Sequence, residues 1–439
     1  MEKYVVKFGG SSLADAKQFR KVADIIKADE RRRYIVPSAP GKRLDDDIKV
    51  TDMLYACYDS GDIAAAFAPI AERFDGIITE LGVDLSLADE YKTIIDKFGA
   101  KAGRDYAASR GEYLSGKVLA AYLGFNFIDA ADVIFFTEEG EFDSERTAEA
   151  LAAALDGMDN AVIPGFYGSM PCGTIETFSR GGSDFTGSVV AGAISATMYE
   201  NWTDVSGFMA ADPRIVDNPD VIDVITYREL RELSYMGATV LHEDAIFPVR
   251  AAGIPINIRN TNDTLALGTK IVRTPPKEEK DAVGTTPITG IAGRKNFSIV
   301  HIEKDDMNNE IGFVRRILSM FEEEGINFEH VPTGIDTLSI VLCNSELQKC
   351  PDIADRIRAA ANPNHIIVEE GTIAMIAVVG RRMVKSRGVA ARIFTALHKA
   401  DINVRIIDQG SCEYNVIIGV EEDDYEKAIV AIYEAFRKK

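Results

Sequence analysis

Positive charge is scarce in this sequence. Across 439 residues, 49 Lys and Arg stand against 69 Asp and Glu, a formal net charge of −20. So acidic a chain repels a phosphodiester backbone, and no basic run or aromatic-interleaved basic patch offsets this, so a nucleic-acid partner is not expected. Long apolar runs are also missing. None approaches the roughly 20 residues that cross a bilayer, and the N-terminus has no signal-peptide pattern. No membrane partner and a cytoplasmic location are therefore expected. The cysteines are few and odd in number: Cys57, Cys172, Cys343, Cys350 and Cys412. None forms C-x-x-C, which reads as reduced thiols without structural zinc. The five histidines are dispersed, with no H-E-x-x-H, so no histidine-based metal site is expected.

What is present begins at the first strand. Tyr4-Val5-Val6-Lys7-Phe8 is a short β-rich run that breaks at Gly9-Gly10 and continues into Ser11-Ser12. A helical pattern follows, with Leu13, Ala16, Phe19, Val22, Ile25 and Ile26. Glycine lets a ligand approach the backbone, a helix start offers unpaired N–H groups to an anion, and Lys7 adds a full positive charge. Together these predict a phosphate site, though the stretch matches neither G-x-x-x-x-G-K-[ST] nor G-x-G-x-x-G. A second turn of the same kind is Ser179-Arg180-Gly181-Gly182-Ser183-Asp184, opening a helix through Val189 to Met198. Two such turns, one beside a lysine and one beside an arginine, suit a polyanion held from two sides.

The first ~280 residues alternate strands with helices, which predicts an α/β core with a largely parallel sheet. Tyr34 to Pro37 reads as a strand, a helix starts near Thr51-Asp52, and residues 62–102 read as helices. Arg110-Gly111-Glu112 opens another helix, Phe127–Ala130 and Val133–Phe136 look like strands, and Tyr167 to Phe178 has hairpin chemistry. Gly237 to His242 begins a further helix, and the polar stretch Thr274 to Asp281 marks a domain boundary. Beyond it Gly312, Arg316, Ile317, Ile326 and Asn327 recur as Gly388, Arg392, Ile393, Ile402 and Asn403. Each copy predicts helix, Ile-Asn strand, turn, strand and helix, a βαββαβ ferredoxin-like unit.

These motifs, in order along essentially the whole chain, resemble the aspartokinases. The resemblance rests on Lys7-Phe8-Gly9-Gly10-Ser11-Ser12, Arg110-Gly111-Glu112, Arg180 to Asp184, Thr203-Asp204 through Asp212-Pro213-Arg214, Val240-Leu241-His242 and the duplicated tail, which looks like tandem ACT modules. It implies an amino-acid-kinase domain over residues 1–283 and a regulatory tandem ACT domain over 284–439. The first module would span about 295–369, and the second about 370–439 plus the strand near 288–292. The implied activity is phosphorylation of the L-aspartate β-carboxylate by ATP with Mg²⁺, the first step toward lysine, threonine and methionine. The chain is most similar to the monofunctional, lysine-sensitive type, since no dehydrogenase domain follows the tail. Two alternatives stay open: a related amino-acid kinase with another substrate, and a non-catalytic amino-acid sensor.

The implied roles follow residue by residue. A carboxylate is already ionised at neutral pH, so no general base is required, and catalysis reduces to neutralising and positioning two anions. Lys7 and Asp184 are the catalytic pair, with Asp184 either orienting Lys7 or helping to hold the metal. Thr51, Glu112, Arg180 and Ser183 would hold aspartate, Glu112 taking its ammonium and Arg180 its α-carboxylate. Gly9, Gly10 and Ser11 or Ser12 would donate to phosphate oxygens. Thr203, Asp204, Met209, Asp212, Arg214, Thr239 and Val240 would line the nucleotide. Two of these depart from the family pattern: Thr239 stands where lysine is usual, and Met209 where tyrosine is usual. Met307, Glu310, Phe313, Val314, Phe328, Glu329, Gly334 and Ile335 match positions bordering an inhibitory lysine between modules of a homodimer, or of a tetramer. Glu329 would meet the effector's side-chain ammonium; Glu310 and Gly334 stand where relatives carry serine.

Overall fold

The computed structural model describes residues 2–178, 181–238, 241, 244–275, 286–384 and 386–437. Arg180, Thr239, Val240 and His242 lie outside the described residues, as does most of the polar boundary stretch. The chain divides into two compact units. The first comprises Met1–Phe208, Val221–Tyr227 and Thr239–Pro276; the second comprises Met209–Asp220, Arg228–Ala238 and Lys277–Lys439. A single boundary near residue 283 therefore differs from the spatial division, because two earlier segments join the second unit. Apolar residues explain the first of them: Ala211 and Val216 are buried in one core with Ile291, Ile376 and Ile393.

The first unit is built on an eight-stranded sheet. Its strands are β1 (Tyr4–Phe8), β2 (Arg32–Pro37), β3 (Asn126–Phe127), β4 (Ala161–Val162), β7 (Met198–Thr203), β8 (Val224–Thr226), β9 (Ile256–Asn260) and β10 (Thr269–Val272). The spatial order is β3-β4-β2-β1-β7-β9-β10-β8, and every pair is parallel except β9 with β10. The expected α/β core with a mainly parallel sheet is what forms. A separate hairpin joins β5 (Tyr167–Ser169) to β6 (Ile175–Thr177), as its turn chemistry predicts.

Strand β1 sits at the centre, between β2 and β7. Alternation sends Val6 and Phe8 into a core with Phe19, Val22, Ile70, Phe74, Leu114 and Trp202, and leaves Lys7 on the opposite face. Beneath the core side, Arg32 donates from Nε to Glu200 Oε2 at 2.7 Å, and Trp202 Nε1 donates to the same oxygen at 2.9 Å. The guanidiniums of Arg32 and Arg259 lie over the Trp202 ring. A buried charge is tolerated when it is paired and hydrogen-bonded, as Glu200 is here.

Several helices begin elsewhere than their sequence signals suggest. The helix after the first turn, α1, starts only at Ala16 and runs to Lys27. Asp15 caps it, accepting from Gln18 N at 2.8 Å, so a carboxylate occupies the helix start that was expected to attract an anion. The glycines instead enter a 3₁₀ turn, Gly10–Leu13. Helix α2 runs Val50–Tyr58 from Lys49, one residue before the expected Thr51-Asp52 cap. Helices α3 (Ile63–Leu81), α4 (Ala88–Gly99) and α5 (Arg104–Leu123) follow, and α5 already includes Arg110 to Glu112 in its interior. The strand expected over Val133–Phe136 does not form: Ala130–Val133 is a single helical turn capped by Asp129, which accepts from Ala131 N, and Phe135 and Phe136 make only isolated bridges.

The second unit carries a five-stranded sheet in the order β12-β11-β13-β15-β14, antiparallel throughout. Its strands are β11 (Gly290–Glu303), β12 (Thr337–Cys343), β13 (His365–Val379), β14 (Ile406–Asp408) and β15 (Asn415–Glu421). The two modules interleave. The first half of β11 pairs Gly290 to Arg294 with Val379 to Met375 of β13, and its second half pairs Phe297 to Glu303 with β12. One core gathers Phe313, Ile317, Phe321, Leu338, Ile340 and Ile357, and the other gathers Ile291, Ile376, Ile393, Ile418 and Ile432. The expected Ile-Asn strand at 326–327 does not form; that stretch meets its neighbour only through isolated bridges at His330 and Thr333. No helix among the described residues is long and apolar enough to cross a membrane.

Candidate active site

The polar residues of the first unit converge at the carboxyl ends of the parallel strands, where α/β sheets open crevices. Register brings Lys7 of β1 opposite Asn201 of β7. Lys7 Nζ lies 2.7 Å from Asp184 Oδ1, and Asn201 Nδ2 donates to the same oxygen at 2.8 Å. Asp184 stands in the first turn of helix α6, Gly182–Ala193. The Tyr199 hydroxyl fastens this turn by donating to the Asp184 carbonyl at 3.1 Å. Asn201 is a site residue that the sequence reading missed. Its only signal was an amide in the middle of an otherwise buried strand, 1% exposed, and only strand pairing makes that position meaningful.

The turn after β1 is fixed by close backbone contacts. Gly9 N donates to Trp202 O at 3.0 Å, and Gly41 N donates to Gly10 O at 2.8 Å. The crossing at Gly10 leaves no room for side chains: a Cβ on Gly10 would lie 2.9 Å from Ala39 O, and one on Gly41 would lie 2.7 Å from Gly10 C. The two hydroxyls of this turn part company. Ser11 is exposed, whereas buried Ser12 shares a 2.8 Å hydrogen bond with Thr261. Ser11 is therefore the hydroxyl left facing solvent.

Glu112 is the buried carboxylate of the site. It sits in α5 beside the start of α2, 6% exposed, and its Oε2 has no hydrogen-bond partner. Burial pushes its pKa up to about 8, against a backbone hydrogen bond from Ala39 and the charges of Arg110 and Lys7, which favour the anion. The Arg110 guanidinium is itself packed over the rings of Tyr106, Tyr113 and Tyr167. Ser183 approaches the end of β4 because Gly165 lacks a side chain, since a Cβ there would lie 2.7 Å from Ser183 Cβ. Thr51 is half-buried in the first turn of α2. Thr203 ends β7 and exposed Asp204 follows it, with Thr203 Oγ1 accepting from Val205 N at 3.0 Å.

Met209, Asp212 and Arg214 belong to the second unit. There Asp212 and Arg214 pair with each other at 2.6 Å, and this partner draws the Asp212 carboxyl below its usual range. Among the described residues no group of three or more His, Cys, Asp or Glu side chains is arranged to hold a metal ion.

The proposed effector positions fall toward both ends of β12: Met307, Gly334 and Ile335 lie by Thr337, whereas Glu329 lies by Val341 and Cys343. Asn308 N donates to Ile335 O at 3.1 Å, and Asp306 N donates to Asp336 Oδ1 at 3.0 Å, which binds the Met307 segment to the Gly334-Ile335 turn. Phe328 and Ile335 are exposed, at 42% and 70%. Met307 and Phe313 instead point into the module core. Val314 packs against that core from a half-buried position. Glu310 is engaged by Lys304 and Arg316. Glu329 accepts from the Tyr235 hydroxyl and lies 3.9 Å from Arg294 Nη1.

Sequence comparison then assigns the fold. The amino acid kinase family matches residues 2–260, and an ACT domain matches residues 376–436. Aspartokinase 3 of Bacillus subtilis (strain 168) is 38% identical over 458 aligned residues, covering 98% of each chain. The chain belongs to the aspartokinases. Among solved structures, the aspartate kinase of Clostridium acetobutylicum, described as an allosteric enzyme, is 49% identical, with a TM-score of 0.89 over the whole of both chains. E. coli aspartokinase III, solved with aspartate and ADP, shares the fold with a TM-score of 0.73, 24% identity and 99% coverage of each chain. As an aspartokinase the chain is a phosphotransferase, with an amino-acid-kinase core followed by ACT modules.

Proposed function

We propose that the chain transfers the γ-phosphoryl group of ATP to the β-carboxylate of L-aspartate and is inhibited by lysine. The observation that carries the catalytic part is the Lys7–Asp184 ion pair close to a buried Glu112 carboxylate with an unpartnered oxygen. Glu112 offers its free oxygen to the substrate ammonium, and Arg180 takes the α-carboxylate in a bidentate pair. Thr51 and Ser183 add hydrogen bonds. The substrate β-carboxylate needs no base. Lys7 supplies the charge that lets two anions meet, and Asp184 with Asn201 holds its ammonium in one place. Gly10 and Ser11 offer donors to the phosphates beside Gly9, whose own N–H is taken by Trp202 O, and the family resemblance assigns Thr203, Asp204, Met209, Asp212, Arg214, Thr239 and Val240 to the nucleotide.

A magnesium ion fits the donor set if the phosphates supply most of its ligands, since Asp184 is the carboxylate paired with Lys7 among the described residues and Mg²⁺ is commonly held by one or two carboxylates plus phosphate oxygens. When bound, it neutralises charge on the nucleotide. Residues 1–283 form the catalytic domain in this reading, and residues 284–439 the regulatory one. Lysine is held by residues of the Met307–Val314 and Phe328–Ile335 segments of the first module, its ammonium on Glu329, in a dimer formed through the ACT modules. The cytoplasm is the expected compartment.

An ATP-coupled hydroxamate assay with aspartate, glutamate and acetylglutamate tests the substrate. Turnover with aspartate alone is expected, and turnover that prefers another acceptor would refute the assignment. Repeating the assay with lysine, threonine and methionine tests the effector.

A further inference from the structure

Helix α3 lies outside every motif discussed so far, yet one of its side chains reaches into the loops of the site. Arg73 is 7% exposed. Its Nη1 donates to Ile48 O at 3.0 Å, and its Nη2 donates to Ala14 O at 3.2 Å and to Gly41 O. These three carbonyls come from two loops: Ala14 from the turn between β1 and α1, and Gly41 and Ile48 from the two ends of the connection between β2 and α2. Ala14 closes the 3₁₀ turn that contains Gly10 and Ser11. Gly41 is the residue whose backbone crosses Gly10. Ile48 lies three residues before Thr51 and leads into α2. The charge is balanced locally: Asp47 Oδ2 lies 3.4 Å from Arg73 Nη2 and also accepts from Arg43 Nε at 2.8 Å. Hydrogen bonds from Arg43 hold the Asp47 carboxyl well below the usual range, so it stays an anion at any working pH.

We propose that Arg73 is a positioning residue for the kinase reaction: one planar guanidinium ties the phosphate-side turn, the Gly41 crossing and the start of α2 into a single cradle. The inference rests on the reading of Gly9–Ser11 as the nucleotide side and Thr51 as the aspartate side. Geometry explains why arginine is needed. Several donors in a fixed fork satisfy carbonyls on separate loops at once, whereas a lysine ammonium is a single point on a flexible stem. No Arg73 atom needs to touch substrate. Its effect is to keep donors on two loops at constant separation, and a displacement of about 1 Å in a reacting geometry costs on the order of a hundredfold in rate.

The test uses the full chain with Arg73→Met and Arg73→Lys, measuring kcat, the KM values for magnesium ATP and for aspartate, and the thermal midpoint. Arg73→Met is expected to lower kcat/KM by roughly a hundredfold with both KM values raised, because the tie spans both substrates. Added N-ethylguanidinium is expected to restore part of that loss. Arg73→Lys keeps the charge and most of the volume, so it reports even where the methionine variant fails to fold. It is expected to remain about tenfold down in kcat/KM with raised KM values. A residue that served stability alone would lower the midpoint and leave both KM values and kcat per folded molecule at wild-type values. That pattern in Arg73→Lys would overturn the proposal. Wild-type turnover in the same assay separates the two readings. An inactive wild type counts against the functional assignment, whereas active wild type with kinetically normal Arg73 variants counts against the cradle alone.

Discussion

Substrate binding to this enzyme should release a proton. Glu112 is buried in α5, one of its oxygens has no partner, and burial raises its pKa to about 8. Only an ionised Glu112 attracts the substrate ammonium strongly. With that pKa, the carboxyl is about one-tenth ionised at pH 7 and about one-hundredth at pH 6. Aspartate affinity should therefore rise roughly fiftyfold from pH 6 to pH 8, and then level off. The sign for stability is opposite. A carboxyl whose folded pKa exceeds the ordinary 4.5 favours folding most at low pH. That contribution fades as pH climbs from about 4.5 through about 8, when the buried group must ionise without a partner. Isothermal titration at pH 7 in two buffers of different ionisation enthalpy measures the proton directly, and close to one proton per aspartate should leave. Glu112→Gln should abolish the release, flatten the pH profile and weaken aspartate by about 1.5–3 kcal/mol. Buffer-independent heats together with a flat affinity between pH 6 and 8 would refute the reasoning.

Other outcomes follow from the same geometry. Lys7→Ala should lower kcat by about 10²–10³ with circular dichroism unchanged, and near-wild-type turnover would remove Lys7 from the chemistry. Asn201→Leu removes one of the two groups on Asp184 Oδ1; a drop in kcat of about tenfold with little change in aspartate affinity is expected from steady-state kinetics. Glu200→Ala leaves Arg32 buried without its carboxylate, and denaturant titration should show a loss of about 3–5 kcal/mol. Glu329→Ala should relieve lysine inhibition while sparing uninhibited turnover. Tyr235→Phe frees the Glu329 carboxylate from a competing hydroxyl and should lower the lysine concentration that gives half-inhibition, which a dose–response curve reads directly.

How much was legible in the sequence varies with the range of the interactions involved. The Tyr4–Phe8 strand, the hairpin at 167–177 and the helices at 63–81 and 88–99 show themselves through period and turn residues, because those signals are local. Helix starts were less legible. Thr51-Asp52 has good capping chemistry, yet α2 begins one residue earlier from Lys49, which makes no side-chain cap; tertiary packing of Val50 and Leu54 in the core outweighs a cap of about 1 kcal/mol. The anion site expected at a helix start went astray for a local reason, since Asp15 already caps α1. The spatial split was hidden as well. Nothing in the run Ala210 to Asp220 reveals that Ala211 and Val216 join the core of the C-terminal module.

The sequence alone determined the α/β class, the two glycine–serine turns, the duplicated tail and the identity of Lys7, Glu112 and Asp184 as chemical candidates. Those features reside in composition, periodicity and motif order, each readable within a few tens of residues. Only the tertiary structure decided that Asn201 meets Asp184, that Ser12 turns to Thr261 and leaves Ser11 exposed, that Glu112 is buried deeply enough to hold its proton near neutrality, and that Arg73 ties two loops together. Strand register, desolvation and the convergence of distant loops are set by packing, which places groups side by side irrespective of their distance along the chain.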